Sequence, residues 1–148
     1  MRRGVLIAAV LLLLVGPSTP APAATADPQP VLPEQLHWAS PPNNPAVQGA
    51  WVVGAEHEAG PYLFRVKLAA GARVPPHTHP DARSSTVLAG TLYVGFGAAF
   101  DATKVVAVPT GAVYVAPAGM PHYVWAKDGE VVYQESGTGP TAVVPATP

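Results

Sequence analysis

The sequence predicts an all-β domain, and three features carry that expectation. Residues 62–68 alternate, with Tyr62, Phe64, Val66 and Leu68 on one side and Arg65 and Lys67 on the other, the period of two of a half-buried strand. From residue 46 onward, short apolar runs are separated by Gly and Pro at intervals of about ten residues, the punctuation of a sandwich or barrel. No apolar stripe at helical spacing lasts three turns anywhere after residue 27.

Composition narrows the class further. The chain has 148 residues, 8 Lys+Arg against 9 Asp+Glu, and only 11% charged residues, so it lacks the basic face that a nucleic-acid binder needs. It has no Cys, which excludes a disulfide framework, a thiolate metal site and a Cys nucleophile. With 19 Pro and 14 Gly beside 49% hydrophobic residues, it is rich in turns and still able to bury a core.

In chain order, Arg2 and Arg3 precede an eleven-residue apolar run, Val5 to Val15, well short of the roughly 20 residues of a membrane-spanning helix. Two small-x-small sites follow, Ala21-Pro22-Ala23 and Ala24-Thr25-Ala26. This is the layout of a secretory signal over 1–26, cut after Ala23 or Ala26. It predicts an exported protein, periplasmic or extracellular, with no membrane span in its mature form. The paired arginines also fit a short twin-arginine signal. Residues 27–45 hold six prolines and read as an extended arm, on which Leu36-His37-Trp38 can lay a short strand or an aromatic anchor. The body, 46–148, is expected to form strands at 48–54, 62–68, 73–79, 85–94, 104–108, 112–116, 122–127 and 130–135. The last two flank Asp128-Gly129, favoured two-residue turn chemistry. A hairpin there sets Lys127 opposite Glu130 and His122 opposite Glu135.

Five histidines are candidates for chemistry: 37, 57, 77, 79 and 122. His57, between Glu56 and Glu58, reads as part of a solvated loop, and His37 as an ordinary surface or packed residue. His77-Thr78-His79 differs, because residues i and i+2 of a strand point to one face and two imidazoles there can share one metal ion. Pro75-Pro76 keeps the approach off central ladder pairing. Gly95-Phe96-Gly97 has no following helix and reads as a bend, and Tyr114, Tyr123, Trp125 and Tyr133 as core or wall residues.

Gly71, His77-Thr78-His79 and Gly90, followed by Gly111, Pro117-Ala118-Gly119 and His122, stand at the spacings of two motifs, and through them the chain resembles the cupin superfamily. The resemblance implies a double-stranded β-helix, or jelly-roll barrel, following the signal peptide and the Pro-rich arm. It implies one divalent transition metal (Fe, Mn, Ni, Cu or Zn) held by His77, His79 and His122, a small-molecule ligand, and a homodimer formed by strand exchange. Two positions depart from the pattern. Arg83 and Ser84 stand where the family's Glu falls, and Ala126 stands where its Asn often does.

Three accounts of the missing carboxylate remain open. The site is a true three-His centre, or Glu135 ligates the metal or orients His122, or the barrel holds an organic ligand without metal. Asp81, at same-face spacing from His79, is a further candidate ligand. A guanidinium cannot ligate a cation, so an inward Arg83 suggests a carboxylate-bearing substrate between it and the metal; the alternative is a loop Arg facing water. The functional expectation is a metal-dependent enzyme of oxygenase or isomerase type, and the alternative is a non-catalytic metal- or metabolite-binding module.

Overall fold

The computed structural model describes residues 29–147, so the signal expected at 1–26 lies outside the described residues. Ten strands form: β1 (Val47–Val53), β2 (Gly60–Leu68), β3 (Arg73–Thr78), β4 (Arg83–Ala89), β5 (Thr91–Phe96), β6 (Val106–Pro109), β7 (Val113–Ala116), β8 (His122–Trp125), β9 (Val131–Gly139) and β10 (Val144–Pro145). They make two five-stranded sheets, in the orders β1-β2-β9-β4-β7 and β10-β3-β8-β5-β6. Only β1–β2 and β5–β6 pair neighbours in the chain. Every other pair joins strands that are distant in sequence, because the chain passes repeatedly from one sheet to the other. Among the described residues no helix is long and apolar enough to cross a membrane.

The interior follows from the alternation. Tyr62, Val66 and Leu68 of β2 are buried, as are Val87, Val131 and Tyr133 of the same sheet and Leu92, Val94 and Val124 of the other. Burial of each such aliphatic side chain contributes about 1.5–3 kcal/mol, and the β1-containing sheet supplies the larger share of the buried hydrophobic residues. Phe64 and Val74 pack on this cluster while staying partly open, because they also border a cavity. Before β1, Pro33–Gln35 form one 3-10 turn. Ala39 exchanges two hydrogen bonds with Gly49, at 2.9 and 2.8 Å, and the Trp38 ring lies 4.7 Å from the Lys67 ammonium. The short pairing expected at 36–38 thus falls at Ala39, with Trp38 as the aromatic contact.

Two expectations about strands are corrected. The single strand expected at 85–94 is two, β4 and β5, divided at Gly90. That residue has φ +77°, and a Cβ on it would strike the Glu130 carbonyl, so the chain turns where only glycine fits. The hairpin expected around Asp128-Gly129 does not form. β8 pairs with β3 and β5, whereas β9 pairs with β2 and β4 in the opposite sheet. His122 therefore stands opposite His77 and Phe96, and Glu135 opposite Phe64 and Ser85. Lys127 lies over the Tyr93 and Trp125 rings and not against Glu130. Both strands carry fully buried apolar residues, Val124 and Val131. Placing them on opposite walls of one core buries both sets, which outweighs a two-residue turn preference.

Candidate metal centre

Pro75 and Pro76 lack the N–H that a ladder needs, and the β3–β8 pairing shifts register between Val74 and His77. Pairing resumes with His77 directly opposite His122. Side chains of directly opposed residues start about 5 Å apart, and the two ring centroids lie 4.4 Å apart. His79 follows on the same face, its carbonyl pinned by the Gly119 N–H at 2.8 Å. Its ring lies 4.8 Å from His77 and 5.2 Å from His122. One potential ligand atom from each of the three lies within 4.8 Å of the others.

Each ring is oriented by backbone. The Nδ1 atoms sit 2.8 Å from the Pro75 carbonyl, 2.7 Å from the Ala142 carbonyl and 3.1 Å from the Met120 carbonyl, for His77, His79 and His122 respectively. A carbonyl only accepts, so Nδ1 carries the hydrogen and Nε2 keeps its lone pair. The Nε2 atoms of His79 and His122 are buried with no hydrogen-bond partner among the described residues, a loss of about 1–3 kcal/mol each when nothing satisfies them. Burial lowers the pKa of His77 to about 4 and of His79 to about 3, with the Arg83 charge adding to the effect. His122 moves the same way for the same reasons. The three are therefore neutral at pH 7, as metal coordination requires. Lone pairs without partners, neutral rings and fixed tautomers fit a divalent transition metal. At about 2.1 Å per bond, tetrahedral ligands lie about 3.4 Å apart, so coordination draws nitrogens separated by up to 4.8 Å together by as much as about 1.4 Å.

Facing this cluster from the other sheet is a second one, centred on Arg83. Its side chain is buried, which decides between the two orientations in favour of the inward one. Nη1 donates to Glu135 Oε2 at 2.8 Å, and Nη2 donates to Asp81 Oδ1 at 2.9 Å and Thr141 Oγ1 at 2.5 Å. Thr141 Oγ1 donates on to Asp81 Oδ1 at 2.5 Å, and the Tyr62 hydroxyl donates to Asp81 Oδ2 at 2.6 Å. Burial works against the charge on Asp81, yet donation from Thr141, Tyr62 and Arg83 holds its pKa below the usual carboxylate range. Burial raises that of Glu135 against the pull of Arg83. Glu135 thus reaches the interior from β9 by a route unrelated to the expected hairpin. His122 is oriented by the Met120 carbonyl instead of by Glu135. Neither Asp81 nor Glu135 belongs to the three-His cluster.

A cavity of about 420 Å³ opens beside the metal cluster, lined by His77, His79, Glu135, Trp51, Phe64 and Val143 among others. A smaller one of about 170 Å³, lined by Arg83, Tyr62 and Thr141, adjoins it and shares Trp51, Phe64, Glu135 and Val143 with it. His37 lies on the rim of the larger cavity and is solvent-exposed. His57 is exposed 3.9 Å from Glu56, in the loop its neighbours suggested. Tyr62, Thr141 and the Trp51–Phe64 wall escaped the sequence reading. The inward alternation of β2 was a signal for Tyr62 and Phe64; nothing in the sequence marked Thr141.

A family model described as a cupin domain matches residues 64–138. Germin-like protein 1-1 of Oryza sativa subsp. japonica is 35% identical over 112 residues, 70% of this chain and 47% of its own length. The chain therefore spans about half the length of that relative. The structure of KdgF from Halomonas sp. superposes with a TM-score of 0.58 at 20% identity, over 74% of this chain and 92% of that one, and shows the fold alone. An oxalate oxidase superposes with a TM-score of 0.50 at 27% identity, over 57% of this chain and 45% of its own. With the motif histidines gathered inside two antiparallel sheets and the family model matching half of the sequence, the chain belongs to the cupin family.

Proposed function

We propose that this protein is a metal-dependent cupin in which His77, His79 and His122 together hold one divalent transition ion, Fe, Mn, Ni, Cu or Zn, beside a small-molecule cavity. The observation that carries this reading is the convergence of three imidazoles whose Nδ1 atoms are all engaged by backbone carbonyls, which leaves Nε2 as the ligand atom. An ion held there supplies Lewis-acid polarisation of a substrate oxygen or activation of O₂, the chemistry of an isomerase or an oxygenase. The chain's own residues do the rest. Trp51, Phe64 and Val143 give the cavity apolar walls, Glu135 offers a carboxylate inside it, and Arg83 fixes where that carboxylate points. The same residues describe the alternative, a binding module without turnover.

The likeness to oxalate oxidase supports small-molecule chemistry at this site, where the ion held by the histidines would be the cation that meets an anionic substrate, since Arg83 is tied to two carboxylates. In this reading 1–26 is removed on export, 27–45 is an arm, and 46–148 closes as a jelly-roll barrel in the periplasm or outside the cell. The test is elemental analysis of the exported protein beside His122→Ala. About one equivalent of metal in the first and none in the second is expected, as for any three-ligand site that loses a ligand. Absence of metal from both folded proteins would remove the reading. N-terminal sequencing of the same preparation checks the export signal.

A further inference from the structure

After β9 the chain turns back, and residues 141–146 touch both polar clusters. Thr141 is buried. Its N–H donates to the Glu56 carbonyl at 2.8 Å, and its hydroxyl accepts from Arg83 and donates to Asp81, each at 2.5 Å. The next residue, Ala142, places its carbonyl 2.7 Å from His79 Nδ1, and Val143 lines both cavities. Val144 and Pro145 then pair with Thr78 and His77 as β10, the outermost strand of its sheet. Beyond them the Ala146 N–H donates to the Pro76 carbonyl at 3.0 Å.

The three histidines differ in what holds them. His77 and His122 are oriented by carbonyls two residues back in their own segments, Pro75 and Met120. His79 takes its acceptor from 63 residues downstream. A local carbonyl is present whenever its strand is; the Ala142 carbonyl is present only while 141–146 lies in place. In that position the His79 Nε2 is buried without a partner, a cost borne by the metal-free protein and removed when an ion takes the lone pair. The segment is also a weakly held edge. Its strand has two residues, Val143 and Val144 are exposed, and Pro145 has no N–H to give the ladder. Edges with few buried apolar contacts open at the lowest free energy.

Resting on the reading of the histidines as a metal site, we propose that residues 141–146 are a strap whose closure is coupled to metal binding, with Thr141 and Ala142 as the positioning residues of His79. Thr141 anchors the strap on Arg83 and Asp81, Ala142 fixes the tautomer and aim of His79, and β10 seals it against β3. The closed form aims His79 Nε2 at the other two rings, so it binds an ion more tightly than the open form. By linkage, a bound ion favours closure by the same factor.

The test combines NMR-detected hydrogen exchange with zinc affinity on the full mature chain. Stoichiometric zinc should slow exchange of the Thr141 and Ala146 amides at least about tenfold. The Ala39 and Gly49 amides, which bond to each other's carbonyls and not to the strap, should change by less than about twofold. Thr141→Val should weaken zinc about tenfold, measured by competition with a chromophoric chelator, and Thr141→Ser, which keeps the hydroxyl, should stay within about threefold of wild type. Stoichiometric zinc with unchanged exchange at 141 and 146, or wild-type affinity in Thr141→Val, overturns the strap and leaves the metal reading standing. No zinc binding by the folded wild-type protein overturns both. If Thr141→Val does not fold, Ala146→Pro, which removes the donor to the Pro76 carbonyl, takes its place with the same expectation.

Discussion

Two buried polar clusters face each other across the interior, and they solve the cost of burial in opposite ways. The Arg83 cluster on the β1-containing sheet is satisfied largely from within: guanidinium, two carboxylates, a hydroxyl and a phenol share five short hydrogen bonds, and Arg83 Nε alone among the guanidinium nitrogens has no partner among the described residues. The histidine cluster on the other sheet satisfies only its outer nitrogens and leaves two buried Nε2 atoms without partners. A network whose charges are paired from within holds structure; convergent lone pairs without donors mark where something else is meant to bind. The difference also explains Arg83 at the position of the family's Glu. With a guanidinium where the family's Glu falls, its charge is balanced by Asp81 and Glu135 within the protein itself.

That contrast predicts different responses to mutation and pH. The largest effect should be on metal content: His77→Ala or His122→Ala abolishes binding, read by elemental analysis, while the metal-free variants stay folded because the lost rings had no inner partner. Next is Arg83→Leu, which leaves two buried carboxylates without their cation. It should cost about 3–5 kcal/mol in urea unfolding, and a cost under about 1 kcal/mol would show the network to be looser than its distances. Acid comes third. His77 and His79 have folded pKa values of about 4 and about 3, below their ordinary 6.5, so the unfolded chain binds protons that the folded one refuses. Stability of the metal-free protein should be full above pH 6.5 and fall as pH drops toward 4, by on the order of a few kcal/mol. The His77→Ala/His79→Ala double variant should flatten that slope, and chemical denaturation at stepped pH measures it. The smallest effect is Tyr62→Phe, which removes one donor from Asp81 while Arg83 and Thr141 remain. About 1–2 kcal/mol is expected, with metal content unchanged; altered metal content would mean that the clusters are coupled.

Legibility in the sequence followed the range of the interactions. The period of two at 62–68, the i, i+2 histidines and the Gly-Pro punctuation are local, and each led to the right element. Strand pairing is not local. Asp128-Gly129 has hairpin chemistry, yet β8 and β9 lie in different sheets, because burial of Val124 and Val131 on opposite walls outweighs a turn preference. For the same reason the sequence could name Glu135 and Asp81 as candidates but could not assign them. Their partner, Arg83, is two residues from Asp81 and fifty-two from Glu135, and Thr141 joins from the segment after β9.

By itself the sequence determined an all-β chain, two histidines on one strand face, a third at family spacing, and the absence of thiol chemistry. These follow from backbone periodicity and residue type, which need no knowledge of what lies opposite. Only the tertiary structure decided that the three Nε2 lone pairs converge, that Arg83 is paired from within, and that a cavity opens beside the histidines. Each of those depends on which strands face one another, and that is set by burying a whole core at once.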